Sequence, residues 1–389
     1  MSPMTVIWLS MAVAGPIQFE RHDIDTYPGG YQVAVADLTG NGRPDVIALS
    51  TSADRVDWYE NPGWKRRPVA RTAKNIDLAP RDVDGDGRPE IALASEFYFG
   101  DSSRGGHIDL LRRPDKPGDL WPAERIAVDP VVHRLRWGDL DGDGKPELVH
   151  APIFGPGSHG PQDAKPSHLW AFRMPNRPGD AWEAWKIDET LTVLHGLYIA
   201  DLDGDGRDEI LTASFEGIYR FELEGEGSTA RWRKVHVAPG AEPVDDKPGT
   251  ARGTSDVVPG HLGPARPILA AIEPWHGHQV VVYTPDQAGR TWNRRVLDDT
   301  LSEGHALVVA DFDGDGLDEI VAGWRRDGGG LRLYDPADAT GDRYATVDLD
   351  RGITVEGAVA ADLNLNGRLD LVVIASRSNN LVWYENLSQ

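Results

Sequence analysis

An acidic phrase recurs along the chain, and this repeat constrains the fold more than any other feature. Its full form is D-x-D-G-D-G-x-x-E. The full copies begin at Asp82, Asp139, Asp201 and Asp311. Weaker copies begin at Asp37 and Asp362, and a copy that has lost its acids begins at Gly260. The seven starts lie 45 to 62 residues apart, a period that is typical of β-propeller blades.

The segments between the phrases read as short strands. An apolar run precedes each phrase, as at 32–36, and another follows it, as at 46–49. A turn, a third strand such as 331–334 and a fourth strand that often begins with Trp, as at Trp232 and Trp292, complete the unit. No long helical period interrupts this pattern. The sequence therefore predicts an all-β fold, a seven-bladed β-propeller of four-stranded blades.

The two ends of the repeat array predict how the ring closes. The last unit stops after the strand 381–385 and lacks a fourth strand, while the strand-like segment 17–24 precedes the first inner strand. We predict that this N-terminal strand completes the seventh blade, which would remove an exposed sheet edge. Residues 17–389 would then form a single propeller.

Residues 1–16 are interpreted as an N-terminal extension. The apolar run 7–14 resembles a weak signal segment, but no Lys or Arg precedes it and it is short for that purpose. We therefore expect the cytoplasm rather than secretion.

Charge and cysteine content exclude several classes of protein. The chain has 40 Lys and Arg against 62 Asp and Glu, a net charge of −22, and no cysteine. A nucleic acid is not expected as partner, because phosphate neutralisation needs a basic surface. No apolar run is long enough to span a membrane. Disulfides, zinc–thiolate sites and cysteine nucleophiles are excluded by the absence of cysteine.

The acidic phrases are predicted Ca²⁺ loops. Carboxylates at positions 1, 3, 5 and 9 and a main-chain carbonyl at position 7 place several hard oxygens around one point. The predicted ligands are Asp82, Asp84, Asp86 and Glu90; Asp139, Asp141, Asp143 and Glu147; Asp201, Asp203, Asp205 and Glu209; and Asp311, Asp313, Asp315 and Glu319. The weaker loops carry Thr39 and Asn41, or Asn364 and Asn366, so we expect about four to six structural sites. The alternative, metal-free acidic hairpin turns, accounts less well for the repeated spacing.

Histidines recur at another phase of the repeat. The residues six positions before each phrase are Tyr31, Ile76, His133, His195, Thr254, His305 and Glu356. These positions begin the innermost strands, which converge on the central channel of a propeller. The turns between second and third strands share that face, and they carry Tyr98, Trp275, His276, Arg325 and Arg326. The alternative interpretation is that such histidines only line the channel around ordered water; three at one phase favour a functional centre.

The repeated phrases resemble the FG-GAP/VCBS class of β-propellers over residues 17–389. A closer resemblance is to the propeller domain of aldos-2-ulose dehydratases. It rests on V-H-R-L-R-W-G at 132–138, V-L-H-G at 193–196, E-P-W-H-G-H-Q-V-V-V-Y at 273–283 and W-N-R-R-V-L at 292–297. The chain departs from that family in two respects: it has no region for the further cupin and lectin-like domains, and Ala79-Pro80 stand where a second-blade histidine is expected.

The resemblance implies a carbon–oxygen lyase that removes water from a keto-sugar such as 1,5-anhydro-fructose or an aldos-2-ulose. It implies Zn²⁺, Mg²⁺ or Mn²⁺ held among His195, His276 and His305. His133 or Tyr31 would act as base or acid beside the carbonyl. The residues expected to contact the sugar are Tyr98, Trp275, Arg325 and Glu356.

Two other functions stay open. A polysaccharide lyase acting on uronate-containing glycans would need a cation to neutralise the substrate carboxylate, and Arg325 or Arg326 could serve. A non-catalytic, Ca²⁺-stabilised binding or adhesion propeller would need no convergent histidines.

Overall fold

The computed structural model describes residues 17–116, 118–177, 179–264, 266–286 and 291–388. In this part of the chain, 28 strands form seven antiparallel four-stranded sheets, so the predicted seven-bladed all-β propeller is confirmed. The predicted extension 1–16, with its signal-like run, lies outside the described residues. None of the helices that the structure describes has the length and hydropathy needed to cross a membrane.

Within blades 1 to 6 the strands follow chain order from the inner to the outer edge, and in blade 7 the outer strand is β1. Blades 1 to 3 contain β2 (Gly30–Ala36), β3 (Asp45–Ser50), β4 (Arg55–Glu60) and β5 (Lys65–Ala70); β6 (Asp77–Arg81), β7 (Glu90–Ser95), β8 (His107–Leu111) and β9 (Ala123–Val128); and β10 (Val132–Gly138), β11 (Glu147–Pro152), β12 (Leu169–Arg173) and β13 (Glu183–Asp188). A 3₁₀ turn, Pro161–Asp163, lies in the long turn between β11 and β12.

Blades 4 to 6 contain β14 (Gly196–Ala200), β15 (Glu209–Ser214), β16 (Gly217–Glu224) and β17 (Arg231–Ala238); β18 (Asp256–His261), β19 (Pro267–Glu273), β20 (Gln279–Pro285) and β21 (Trp292–Asp298); and β22 (Gly304–Ala310), β23 (Glu319–Trp324), β24 (Gly330–Pro336) and β25 (Tyr344–Arg351). A second 3₁₀ turn is Gly227–Thr229. Blade 7 contains β26 (Val355–Ala361), β27 (Asp370–Ala375), β28 (Asn380–Asn386) and β1 (Phe19–Thr26).

The ring closes as the sequence predicts. Strand β1 pairs antiparallel with β28, from Phe19 opposite Asn386 to Thr26 opposite Asn380, and becomes the outer strand of blade 7. The first and last described strands therefore belong to one sheet. This pairing uses the edge that β28 would otherwise expose.

The core lies between blades rather than within one of them. Seven clusters of buried apolar side chains each join two adjacent blades in the described part of the chain. Second strands such as β3 and β7 are buried along their whole length, because a neighbouring blade covers each of their faces. This explains why they read as continuous apolar runs, whereas outer strands such as β9 alternate between exposed and half-buried residues.

Two asparagines tie blade 7 to its neighbours. The Asn386 amide donates to the Phe312 carbonyl at 2.6 Å and to the Leu369 carbonyl at 3.0 Å. In the same way, Asn61 donates to the Leu363 carbonyl at 2.8 Å. Both amides are buried, so removing either leaves backbone carbonyls without a donor.

We expect Asn386→Ala to destabilise the closed ring by about 1–3 kcal/mol, because two buried carbonyls lose their hydrogen bonds. Calorimetric melting should show a lower Tm than the wild type. The control is Asn176→Ala, since Asn176 is exposed. Equal Tm values for the two variants would contradict this role of Asn386.

Candidate functional site

The inner strands bring the predicted residues to one centre. The Tyr31 hydroxyl lies 3.3 Å from His133 Nε2 and 3.2 Å from His305 Nε2. His195 and His276 approach each other through their Nε2 atoms at 3.0 Å. Blades 1, 3, 4 and 6 supply Tyr31 and three of the histidines, and the turn after β19 supplies His276. The structure thus assembles the five predicted catalytic residues into one cluster.

Backbone carbonyls orient two of the rings. His195 Nδ1 lies 2.8 Å from the Ser255 carbonyl, and His305 Nδ1 lies 2.6 Å from the Glu356 carbonyl. A carbonyl only accepts, so each Nδ1 carries the proton and each Nε2 presents a lone pair to the centre. Second contacts of this kind are typical of metal-ligating histidines.

Arg325 sets the protonation of His276. Its Nη2 lies 3.2 Å from His276 Nδ1, and a guanidinium only donates, so Nδ1 accepts and Nε2 carries the proton. His276 therefore donates to His195 Nε2. As placed, His276 is a hydrogen-bond donor, and it becomes a third metal ligand only after losing this proton.

The same reasoning assigns the proton of Tyr31. His305 Nε2 can only accept, so the Tyr31 hydroxyl donates to it, and His133 Nε2–H then donates to the Tyr31 oxygen. His133 Nδ1 is buried and has no hydrogen-bond partner among the described residues. Each proton at the centre consequently has an acceptor, and one lone pair, on His133 Nδ1, is unused.

Burial keeps the four rings neutral. Desolvation lowers the pKa of His133, His195, His276 and His305 well below the usual value of 6.5, with Arg134 or Arg325 adding to the effect through its charge. Burial also raises the pKa of Tyr31. Neutral imidazole is the form that binds a metal or accepts a proton.

The donor set fits a cation that prefers imidazole. The ligand atoms of His195, His276 and His305 lie within 4.8 Å of one another. Nε2 of His195 and of His305 carries no proton, so a metal would replace the hydrogen bonds that these atoms accept from His276 and Tyr31. Zinc accepts three such nitrogens and leaves a position for substrate.

A cavity of about 730 Å³ opens above the cluster. His133 and His276 form part of its wall, together with Tyr98 and Trp275, which the sequence predicts to contact substrate. Phe97 and Phe99 add apolar surface, and the Trp275 ring stacks on His276 at 4.4 Å between centroids. A volume of this order accommodates a small sugar.

Ion pairs fix the charged wall of this cavity. Arg325 contacts Glu356 at 2.8 Å and Glu303 at 3.0 Å, while Arg326 contacts Glu303 at 2.9 Å. Glu356 does not line the large cavity; its carboxylate accepts from Arg325 and from Ser376 at 2.6 Å. The structure therefore places Glu356 behind the site, where it holds Arg325.

Three residues that the sequence interpretation did not single out belong to the site. Arg134 is buried beside Tyr31, and Lys74 and Glu303 line the cavity. A signal for Arg134 exists, since it and Asp77 stand five positions before their phrases, where other blades carry uncharged residues. Lys74 and Glu303 also share a phase, eight positions before Asp82 and Asp311, and both have a positive φ in the turn that precedes the inner strand.

A second cavity of about 330 Å³ continues the channel below the histidines, lined by His305, Arg134 and Asp256. Burial raises the pKa of Asp256 to about 6, although Arg134 opposes this shift. The histidine layer thus separates two chambers of the central channel.

The predicted Ca²⁺ loops connect the first and second strands of their blades, away from the cavity. Position 1 binds backbone N–H groups, as when Asp82 accepts from Gly85 and Gly87 at 2.8 Å each. Position 9 is buried and accepts the N–H of position 2, as Glu209 does from Leu202 at 2.8 Å. Sets of carboxylate oxygens lie within 4.8 Å of one another at Asp82, Asp84 and Asp86; at Asp139, Asp141 and Glu147; and at Asp201, Asp203 and Glu209.

The glycines at loop positions 4 and 6 have positive φ values, for example +76° at Gly85 and +81° at Gly87. L-residues rarely adopt this conformation. Blade 7 nevertheless places Leu365 at position 4 with φ of 60°. The loop geometry therefore persists where its sequence has drifted.

Comparison with known protein families agrees with the propeller fold. The model of an FG-GAP-like repeat matches residues 37–93 and 311–373, and the model of the aldos-2-ulose dehydratase β-propeller domain matches residues 105–286. The chain is a seven-bladed β-propeller that contains FG-GAP-like repeats. The resemblance that its motifs indicate is confirmed.

Three curated proteins are similar to this propeller. Aldos-2-ulose dehydratase of Phanerodontia chrysosporium is 26% identical over 67% of this chain and 31% of that protein. Two proteins of Bacillus subtilis (strain 168) are 25% identical: rhamnogalacturonan exolyase YesX, over 55% of this chain and 41% of its own, and endolyase YesW, over 71% and 42%. The aligned region spans less than half the length of each relative.

The fold of this propeller also matches a crystal structure of BBS1N in complex with ARL6DN. The TM-score is 0.56 at 13% identity, over 95% of this chain and 96% of that chain. At this identity the likeness concerns the fold alone.

We expect the histidine cluster to bind one Co²⁺, used as a probe for zinc, with intense visible absorption in excess Ca²⁺. His195→Ala and His305→Ala should abolish this absorption, because each removes a lone pair from the centre. His236→Ala is the matched control, since His236 is exposed. Unchanged Co²⁺ spectra in both cluster variants would exclude a metal there.

Proposed function

We propose that this propeller is a carbohydrate-acting lyase that eliminates water from a keto-sugar. The observation that carries the proposal is the convergence of four neutral histidines and Tyr31 beneath an aromatic-lined cavity. The dehydratase and lyase relatives support the class of reaction. A purely structural or adhesive propeller would not need this cluster.

His133 is the proposed base. Its ring lines the cavity, and its buried Nδ1 is the nitrogen of the cluster without a partner. We propose that a rotation of the ring on substrate binding brings Nδ1 to the cavity, where it takes the proton from the carbon next to the substrate carbonyl. Since burial holds the pKa of His133 well below 6.5, the ring is free to accept this proton at neutral pH.

Tyr31 is the proposed acid. As the carbon–oxygen bond breaks, its hydroxyl gives a proton to the leaving oxygen, which departs as water. Once its ring has turned back, His133, now protonated at Nδ1, points Nε2–H at the Tyr31 oxygen 3.3 Å away. Transfer of that proton to the tyrosinate restores the phenol and leaves His133 neutral with its proton on Nδ1. Exchange with water, which removes the Nδ1 proton and returns one to Nε2, restores the starting tautomer before the next turnover.

The remaining residues hold the substrate carbonyl. A metal at His195 and His305, when bound, would polarise the carbonyl and stabilise the enolate. His276 Nε2–H, kept protonated by Arg325, is placed to donate to an oxygen at the same centre. Trp275, Phe97 and Tyr98 would pack against the sugar ring and limit water.

The calcium loops are proposed as scaffold rather than as part of this chemistry. They lie away from the cavity and join the inner two strands of their blades. Bound Ca²⁺ would neutralise acids that otherwise repel one another.

Elimination from a uronate-containing glycan is a second candidate, and Lys74 is the observation that favours it. Lys74 lines the cavity, and its ammonium forms no ion pair among the described residues, whereas Arg325 and Arg326 are held by Glu303. Lys74 could therefore meet a substrate carboxylate at lower cost than either arginine. Loss of activity on uronate substrates alone in Lys74→Met would identify this reaction.

The direct test adds 1,5-anhydro-fructose, glucosone or rhamnogalacturonan oligosaccharides and follows ultraviolet absorbance. We expect an enone band with a keto-sugar. His195→Ala and His305→Ala should abolish product formation, and His133→Ala and Tyr31→Phe should slow it about 10²–10⁴-fold, which is typical for loss of acid–base catalysis.

His236→Ala should keep wild-type turnover in this test. A band with the uronate substrate alone would select the second candidate. No absorbance change with any of these sugars would refute both.

A further inference from the structure

The acidic loops are not equivalent, because the third strand of each blade places a different residue beside position 9. The register of second and third strands sets these neighbours. In blades 1, 2, 3, 4, 6 and 7 they are Glu60, Arg112, Arg173, Glu222, Asp335 and Glu385. Four loops that share one motif therefore have different charge environments.

Blades 2 and 3 supply a cation of their own. Arg112 contacts Asp84 at 3.1 Å and Glu90 Oε1 at 3.3 Å. In blade 3, Arg173 contacts Asp141 and, at 3.4 Å, Glu147 Oε1. Each guanidinium joins positions 3 and 9, which are two of the predicted ligands, so a divalent cation would have to displace it.

In blade 4 the third-strand residue opposite position 9 is an acid, but arginines neutralise it. Glu222 forms ion pairs with Arg220 and Arg233. The positive charge of Arg220 also acts on the Glu209 carboxylate. The negative charge of the blade 4 loop is therefore partly neutralised by arginines of the neighbouring strands.

Blade 6 has no such compensation. Asp335 stands opposite Glu319, and its carboxylate has no hydrogen bond or ion pair among the described residues. Glu319 is completely buried, and its Oε1 lacks any partner, while Oε2 accepts from the Phe312 N–H at 2.7 Å. The oxygen that an arginine engages in blades 2 and 3 is left open here.

Neighbouring acids act on one another in this loop. The charges of Asp313 and Asp335 act on the buried carboxylate of Glu319, and those of Asp313 and Asp315 act on Asp335. Five acids consequently lie close together, and none of them forms an ion pair within the described part of the chain.

We propose that the blade 6 loop is the tight Ca²⁺ site of this face, with Asp335 as an additional ligand beyond the repeated motif, and that Arg112 and Arg173 make the blade 2 and blade 3 loops weak sites. Ca²⁺ affinity rises with the number of charged oxygen ligands. The blade 6 site offers Asp311, Asp313, Asp315, Glu319 and Asp335, whereas the other two loops offer four acids and one arginine.

This inference rests on the calcium prediction and is independent of the proposed elimination reaction. Calorimetric titration of the calcium-free full-length protein with Ca²⁺ tests it, together with the Ca²⁺-dependent change in Tm. Asp335→Asn, which keeps the side-chain shape, should weaken the tightest site at least ten-fold. Arg112→Gln and Arg173→Gln should each strengthen a weak site at least ten-fold, because the competing cation is gone.

Glu385→Gln is the matched control, since Glu385 holds the same position beside the asparagine-substituted loop of blade 7, and it should leave the tight site unchanged. Equal Ca²⁺ affinity in Asp335→Asn and wild type would overturn the assignment of blade 6. Unaltered weak sites in both arginine variants would overturn the role given to Arg112 and Arg173. The two arginine variants test the proposal even if the Asp335 variant folds poorly.

Discussion

Antiparallel pairing of β1 with β28 closes the ring, and the geometry of the centre depends on that closure. Each blade buries its apolar faces only against its two neighbours, so no blade can be stable alone. Closure fixes the angle between adjacent blades, and this angle brings the starts of the inner strands together. Asn61 and Asn386 reinforce the two junctions of blade 7 with amide hydrogen bonds to neighbouring backbones.

The two faces of the ring differ in the side chains that they carry. One face carries the acidic loops, whose carboxylates first organise their own backbone and then leave oxygens for a cation. The other face carries the cavity, where burial lowers the pKa of the histidines and keeps them neutral. The proposed reaction uses the second arrangement, because a neutral imidazole with a free lone pair is both a base and a ligand.

Repetition made the fold and much of the site predictable from the sequence. The phase of His133, His195 and His305 was visible because all blades share one register, and the structure brings these residues together. The sequence could not show that Glu356 lies behind the cavity holding Arg325, or that Arg134 is buried beside Tyr31. Those outcomes depend on side chains from different blades meeting, and each blade contributes a different partner.

The sequence by itself determined the number of blades, the strand order, the closure by an N-terminal strand and the positions of the acidic loops. These are local properties, since strand patterns and loop spacing repeat within each blade. Only the tertiary structure decided which nitrogen of each histidine carries a proton, and which acidic loop keeps an unneutralised carboxylate. Protonation is set by a carbonyl or guanidinium from another blade, and loop charge by the third-strand residue that the sheet register places opposite position 9.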